Sequence, residues 1–315
     1  VMYIGVDIGG TKCAVVLADA EGNILQKARF ATTTRDKTIE EILKNVKRFG
    51  AATAVGISCG GPLDSKNGII LSPPNLPGWD YVEIVSIIER ETGIKAFLQN
   101  DANACALAEW KYGAGIGCKN MVFLTFGTGL GAGLILNGSL YSGTSAMAGE
   151  VGHIRLSECG PVGYGKAGSF EGFCSGNGLA QLGRLKAMEL LQMGKTASFC
   201  TSLSELDAIT AKDIASYANE GFEDAIEVYQ TCARYLGKGL AVIIDILNPE
   251  RIVLGSVYAR AEGLLKSEML KVLEKECLPQ ALHACTILPA KLSEHVGDIA
   301  AVSVAIEGER GNLPC

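Results

Sequence analysis

A strand–bend–strand unit rich in glycine occurs twice in this chain, and it restricts the folds open to it. Val6-Asp7-Ile8-Gly9-Gly10-Thr11-Lys12 follows the apolar start Val1-Met2-Tyr3-Ile4 and runs into Ala14-Val15-Val16-Leu17-Ala18. Leu124-Thr125-Phe126-Gly127-Thr128-Gly129-Leu130 follows Met121-Val122-Phe123 and runs into Ala132-Gly133-Leu134-Ile135-Leu136. Turn residues close each unit, at Asp19-Ala20-Glu21-Gly22 and at Asn137-Gly138. Bends of this kind present backbone N–H groups that bind phosphate oxygens. Two facing bends would grip a nucleotide triphosphate.

The remainder of the chain reads as alternating strands and helices. Ile42, Leu43, Val46 and Phe49 recur at helical spacing, and Ala54 to Ser58 is a buried strand ending at Gly60-Gly61-Pro62. Pro73 to Trp79 is a rigid loop, 82–91 a helix and 95–98 a strand. Asn100-Asp101-Ala102-Asn103 then opens a helix through Tyr112, with Asn or Asp available as its cap. Glycine-rich chain follows from Ser142 to Gly178, helices dominate from Leu179 to Leu247, and 251–254 is a strand ending in Gly255-Ser256. A strand near Thr286 and a last helix from about Asp298 complete the chain. We expect an α/β fold of two domains, a smaller one over 1–112 and 297–315 and a larger one over 113–296.

Bulk properties exclude several classes. A net charge of -6 argues against nucleic acid as a partner. It does not exclude ATP, which local amides can hold. No apolar run has the length of a membrane span, and because Val1-Met2-Tyr3-Ile4 leads straight into a strand no signal peptide is expected. Eleven cysteines without a compact framework point to a reducing, cytoplasmic compartment.

Certain polar residues stand where chemistry is done. Asp7, just before Gly9-Gly10-Thr11, can hold Mg²⁺ through water beside nucleotide phosphates, or can cap a turn. Asp101 lies between a strand and a helix, where it can take a proton from a hydroxyl attacking a γ-phosphate, or act as a helix cap. Asn100 can orient the same hydroxyl. Glu150, His153 and Glu171 suit a polyhydroxyl ligand, or a solvated loop. Gly160 to Lys166 has Walker A spacing, but Ala167 replaces the Ser or Thr that would bind magnesium. The glycines at 127, 129, 131 and 133 recur every second residue, as along a strand, and do not make a dinucleotide fingerprint.

Together, Asp7-Ile8-Gly9-Gly10-Thr11, Asn100-Asp101-Ala102-Asn103, Gly127 to Gly133 and Gly149-Glu150-Val151-Gly152-His153 resemble the ROK family of repressors, open reading frames and sugar kinases. The resemblance covers nearly the full chain. It implies two actin-like ATPase (ribonuclease H-like) domains flanking a nucleotide and sugar cleft. It implies Asp101 as base, sugar contacts from Asn100, Glu150, His153 and Glu171, and Gly61 and Asn75 close by. Phosphate contacts would come from Gly9, Gly10, Thr11, Lys12, Thr128 and Gly129, with Gly255 and Ser256 near adenosine. The implied activity is ATP-dependent phosphorylation of the 6-hydroxyl of glucose or a related hexose, with Mg²⁺, by a homodimer. N-acetylmannosamine, other N-acetylhexosamines and fructose are alternative substrates. A sugar-responsive regulator is the alternative of another class, and such members carry a helix-turn-helix segment before the first hairpin.

One stretch departs from the family. Members usually hold structural zinc with CxCGxxGCxE and the histidine of the Gly-His pair. Here Val162, Tyr164 and Ser169 occupy the three cysteine positions, while Glu171 remains. No zinc site is expected, since valine cannot ligate and neutral tyrosine and serine replace thiolates poorly. Packing, with Tyr164 a candidate, would hold the loop instead.

Overall fold

A computed structural model describes residues 1–314, apart from the Glu294 side chain. The chain opens with β1 (Met2–Ile8), β2 (Lys12–Asp19), β3 (Ile24–Ala31), α1 (Arg35–Phe49) and β4 (Ala54–Cys59). A small ribbon, β5 (Leu63–Asp64) with β6 (Ile69–Ile70), precedes α2 (Ile84–Thr92), β7 (Ala96–Asn100) and α3 (Asp101–Tyr112). Next come β8 (Met121–Leu124), β9 (Ala132–Leu136), β10 (Ser139–Tyr141) and a second ribbon, β11 (Val162–Gly163) with β12 (Lys166–Ala167). Helices α4 (Phe170–Phe173), α5 (Gly176–Gln192), α6 (Ala211–Asn219) and α7 (Glu223–Leu247) lead to β13 (Arg251–Leu254). The chain ends with α8 (Val257–Glu276), α9 (Pro279–Ala284), β14 (Thr286–Pro289) and α10 (Val296–Glu309).

Two five-stranded sheets result, in the orders β3-β2-β1-β4-β7 and β10-β9-β8-β13-β14. In each, three strands consecutive in the chain are followed by two from later on. The first sheet is mixed: β1–β2 and β2–β3 are antiparallel, β1–β4 and β4–β7 parallel. Cα packing divides the chain into one unit of Val1–Phe123, Gly133–Ala148 and Lys291–Cys315 and another of Leu124–Ala132 and Gly149–Ala290.

Alternation along β1 builds two cores in the first unit. Ile4, Val6 and Ile8 join Ile42 and Val46 of α1 and Ile84 and Ile88 of α2, whereas Tyr3 meets Val302, Ala305 and Ile306 of α10. With both faces covered, the inner strands are apolar almost throughout. Helix α10 lies very close to the sheet, since a Cβ on Gly56 would fall 2.1 Å from the Ala301 carbonyl oxygen. Edge strand β3 is largely exposed and carries Lys27 and Arg29, which discourages pairing with other chains.

In the second unit α7 buries Val228, Tyr229, Cys232, Ala233, Leu236 and Leu240, the three-and-four spacing of a helix packed along one stripe. A Cβ on Gly237 would meet Val272 Cβ at 2.7 Å, so α8 packs tightly there. Among the described residues no disulfide joins the cysteines, and no helix is long and apolar enough to cross a membrane.

Candidate active site

Strand register gathers the predicted residues of the first unit. Ile8 pairs with Cys59, and Cys59 with Asn100, across three parallel neighbours. The bend after Ile8, the Gly60-Gly61 bend and Asp101 therefore stand in a row at the carboxyl edge of the sheet. Ligands of open α/β sheets bind at such edges.

The first bend is tight. Gly9 N–H donates to Lys12 O at 3.1 Å, and Thr32 donates through its hydroxyl to Gly9 O at 2.6 Å and through its amide to Thr11 O at 3.0 Å. Gly10, Thr11 and Lys12 are left exposed. Asn75 lies against this bend: a Cβ on Gly10 would sit 2.6 Å from Asn75 O.

Asp101 begins α3, but Asn100 is the cap, its Oδ1 accepting from Asn103 N at 2.8 Å. The capping role open to either residue thus falls to Asn100, and the Asp101 carboxylate accepts from the Ala102 amide at 2.8 Å and from its own backbone amide. Asp101 is exposed, yet surrounding protein desolvates its carboxyl and raises its pKa. Both hold for a carboxylate open to solvent on one side and crowded on the others. The Gly60 backbone borders it, with an added Cβ 4.0 Å from Asp101 Oδ2. Beneath, buried Gln99 accepts from Asn100 N and from Asn103 Nδ2, stiffening the base of the helix.

Asp7 is half-buried one residue before the end of β1. Its pKa is pushed up to about 6, first by burial, then by the negative charges of Asp298 and Asp101, with Lys27 and Arg29 acting oppositely. Asp298 is buried and paired with Lys27 of β3. A Cβ on Gly297 would fall 2.9 Å from Asp7 Oδ2, so the start of α10 closes over that carboxylate. Neither Lys27 nor Asp298 stands out as a site residue in the sequence. An acid opening an apolar helix was the available signal for Asp298; an edge-strand lysine carries none.

The second unit gathers its own set. Thr125 and Gly131 close the second bend, Thr125 N–H to Gly131 O at 2.9 Å and Gly131 N–H to Thr125 Oγ1 at 3.0 Å. Inside it Gly127 N–H donates to Gly129 O at 2.9 Å, and Thr128 is exposed at the tip. Glu171, from α4, accepts from Leu130 N at 2.9 Å and lies so near Gly129 that a Cβ there would sit 2.7 Å from Oε2. Gly152 packs on Glu171, which sets the exposed Glu150 and His153 beside it. Gly255 N–H donates to Leu124 O and Val257 N–H to Phe126 O, each at 2.9 Å, joining the Gly255-Ser256 turn to the same bend.

The ROK family pattern matches residues 3–307. The chain belongs to the ROK family. It is 31% identical over 310 residues to a glucokinase of Halalkalibacterium halodurans, covering 94% of this chain and 92% of that one. It is similar to the structure of a ROK family glucokinase from Streptomyces griseus in complex with glucose and AMPPNP, at 31% identity and a TM-score of 0.77, covering 98% of this chain and 100% of that one. A xylose repressor of Bacillus spizizenii is 25% identical over 315 residues, and the match covers 96% of this chain and 77% of the repressor. The fold is accordingly the actin-like ATPase fold expected from the motifs, with two mixed α/β sheets.

Proposed function

We propose that this protein is an ATP-dependent hexose kinase with Asp101 as its general base. The supporting observation is the row at the carboxyl edge of the first sheet, where an accessible, desolvated carboxylate shares its edge with an exposed glycine turn. The two similar glucokinases support the same reading.

In this reading the 6-hydroxyl of the sugar is hydrogen-bonded to Asp101. As that oxygen attacks the γ-phosphorus its proton passes to the carboxylate, the new O–P bond forms, the bond to the bridging oxygen of ADP breaks, and ADP departs. Desolvation raises the Asp101 pKa, which strengthens it as a base. The exposed Gly10, Thr11 and Lys12 donate to phosphate oxygens, as do Thr128 and Gly129 of the second bend. Asn100, Glu150, His153 and Glu171 are the proposed sugar contacts, with Gly61 and Asn75 nearby, and Gly255 and Ser256 those for adenosine. Magnesium, when bound with ATP, neutralises phosphate charge. Asp7 suits it, because Asp7 is a hard oxygen donor whose pKa is raised first by burial and then by neighbouring negative charge, which a cation relieves. A cytoplasmic homodimer belongs to the same proposal.

Glucose is the proposed acceptor, with N-acetylmannosamine, other N-acetylhexosamines and fructose the nearest alternatives. Retention of both Asp7 and Asp101 favours a kinase over a protein that keeps the fold without kinase chemistry. A panel of free sugars with ATP, read by coupled ADP release and by NMR of the product, tests the reading. A hexose 6-phosphate is expected. ADP release independent of every sugar would overturn it.

A further inference from the structure

The stretch that departs from the family pattern has its own scaffold. Zinc, which the family resemblance implies here, does not fit the residues present. Val162 offers no donor atom. Ser169 Oγ caps α4, accepting from Gly172 N at 3.0 Å, and also donates to Gly163 O at 3.4 Å. The Tyr164 ring stands edge-on to the His153 ring, with centroids 6.4 Å apart. Of the two cysteines near in sequence, Cys159 is exposed, whereas Cys174 is fully buried and directs its thiol to Cys232 O at 3.5 Å. Among the described residues no group of three or more His, Cys, Asp or Glu is arranged as a metal site.

Direct hydrogen bonds surround the β11–β12 ribbon. Gln181 of α5 grips Val162 from both sides, its Nε2 donating to Val162 O and its Oε1 accepting from Val162 N, each at 2.9 Å. On the other flank Lys166 Nζ donates to His153 O at 2.7 Å and Arg155 Nη1 to Ala167 O at 2.8 Å. Phe170 N–H donates to Ile154 O at 2.8 Å, which ties the start of α4, and so Glu171, to the same segment.

We propose that Lys166 and Gln181 are positioning residues that hold the His153 and Glu171 segments in place, so that this part of the protein needs no metal. The inference rests on the kinase reading for what the two segments bind, but not for how they are held. A two-sided amide clamp fixes one strand edge against α5. An ammonium on a carbonyl fixes the residue that presents the imidazole, and such charge-assisted bonds are stronger than neutral ones.

Amide hydrogen exchange over 157–172, with and without a strong chelator, together with the zinc content of the purified protein, tests the clasp without reference to activity. Protection unchanged by chelation, zinc far below one per chain, and faster exchange in Gln181→Leu are expected. In the kinase assay Lys166→Met should raise the sugar KM about tenfold, the scale of one charge-assisted hydrogen bond, with kcat and the KM for ATP nearly unchanged. Lys166→Arg should restore most of the affinity. Stoichiometric zinc, protection lost on chelation, or an unaltered sugar KM in Lys166→Met overturns the proposal. Should no sugar be phosphorylated, the kinase reading fails, and the exchange and zinc results still decide whether the clasp stands.

Discussion

The two glycine bends look alike in sequence and are built differently. The first occupies residues 9–11 between paired strands and closes on itself through Gly9 and Lys12. The second spans 125–131, contains an inner turn at Gly127 and Gly129, and commits the Leu130 amide to Glu171. Their surroundings differ too. At Gly10 the nearest neighbour is backbone, Asn75 O, and at Gly129 it is the end of a side chain, Glu171 Oε2. The first bend is a stiff cradle, and the second is a longer loop coupled to a candidate sugar-binding carboxylate. In the kinase proposal the first bend would be the fixed phosphate grip and the second the adjustable one.

The largest effect expected of variants near the two bends is at the acid below the first. Asp7→Asn should cut turnover roughly 100-fold, since charge stabilisation around phosphate is worth several kcal/mol. The same change should stabilise the ligand-free protein at neutral pH. The Asp7 pKa rises from 3.8 to about 6 on folding, so the native state holds this proton more tightly than the unfolded chain. Wild-type stability therefore declines as pH rises through that window. Above it, Asp7→Asn should gain roughly 2 to 3 kcal/mol relative to its advantage at pH 3.5. Chemical denaturation of both proteins across pH measures this, and a pH-independent difference would remove Asp7 from the account of charge crowding.

Gly10→Ala should come next. Its methyl meets immovable backbone at 2.6 Å, so a stability loss of about 1 to 3 kcal/mol is expected, with a higher KM for ATP. Gly129→Ala should be milder in stability, below about 1 kcal/mol, because the Glu171 side chain can shift. Its signature should be a raised sugar KM, as Glu171 moves. Melting curves and separate KM values for the two substrates check the pair. Equal penalties at both positions would erase the distinction between stiff and adjustable bends.

Much of this arrangement was legible in the residues. Apolar runs flanking Gly9-Gly10-Thr11 and the 127–133 glycines marked both hairpins, and the strand-to-helix junction at Asn100-Asp101 marked the candidate base. What lay beyond reach was long-range. Glu171 reaches Leu130 across the fold, Asn75 reaches Gly10, and Lys27 reaches Asp298 from an exposed edge strand. No local propensity encodes such meetings, which depend on how helices pack on the sheets. Even the cap of α3 was undecidable locally, because Asn and Asp side chains cap equally well and only the turn geometry selects Asn100. The clasp around β11–β12 was half visible. Missing thiols argued against metal, but nothing in the spacing named Gln181 or Lys166 as replacements.

The most direct measurement is Asp101→Asn, assayed for glucose binding by calorimetry and for glucose-dependent ADP release across pH. The account predicts near-native binding, turnover lower by about 10²–10⁴-fold, and an altered acid limb, since Asp101 carries a raised pKa. A variant that keeps wild-type turnover with its acid limb intact would contradict it.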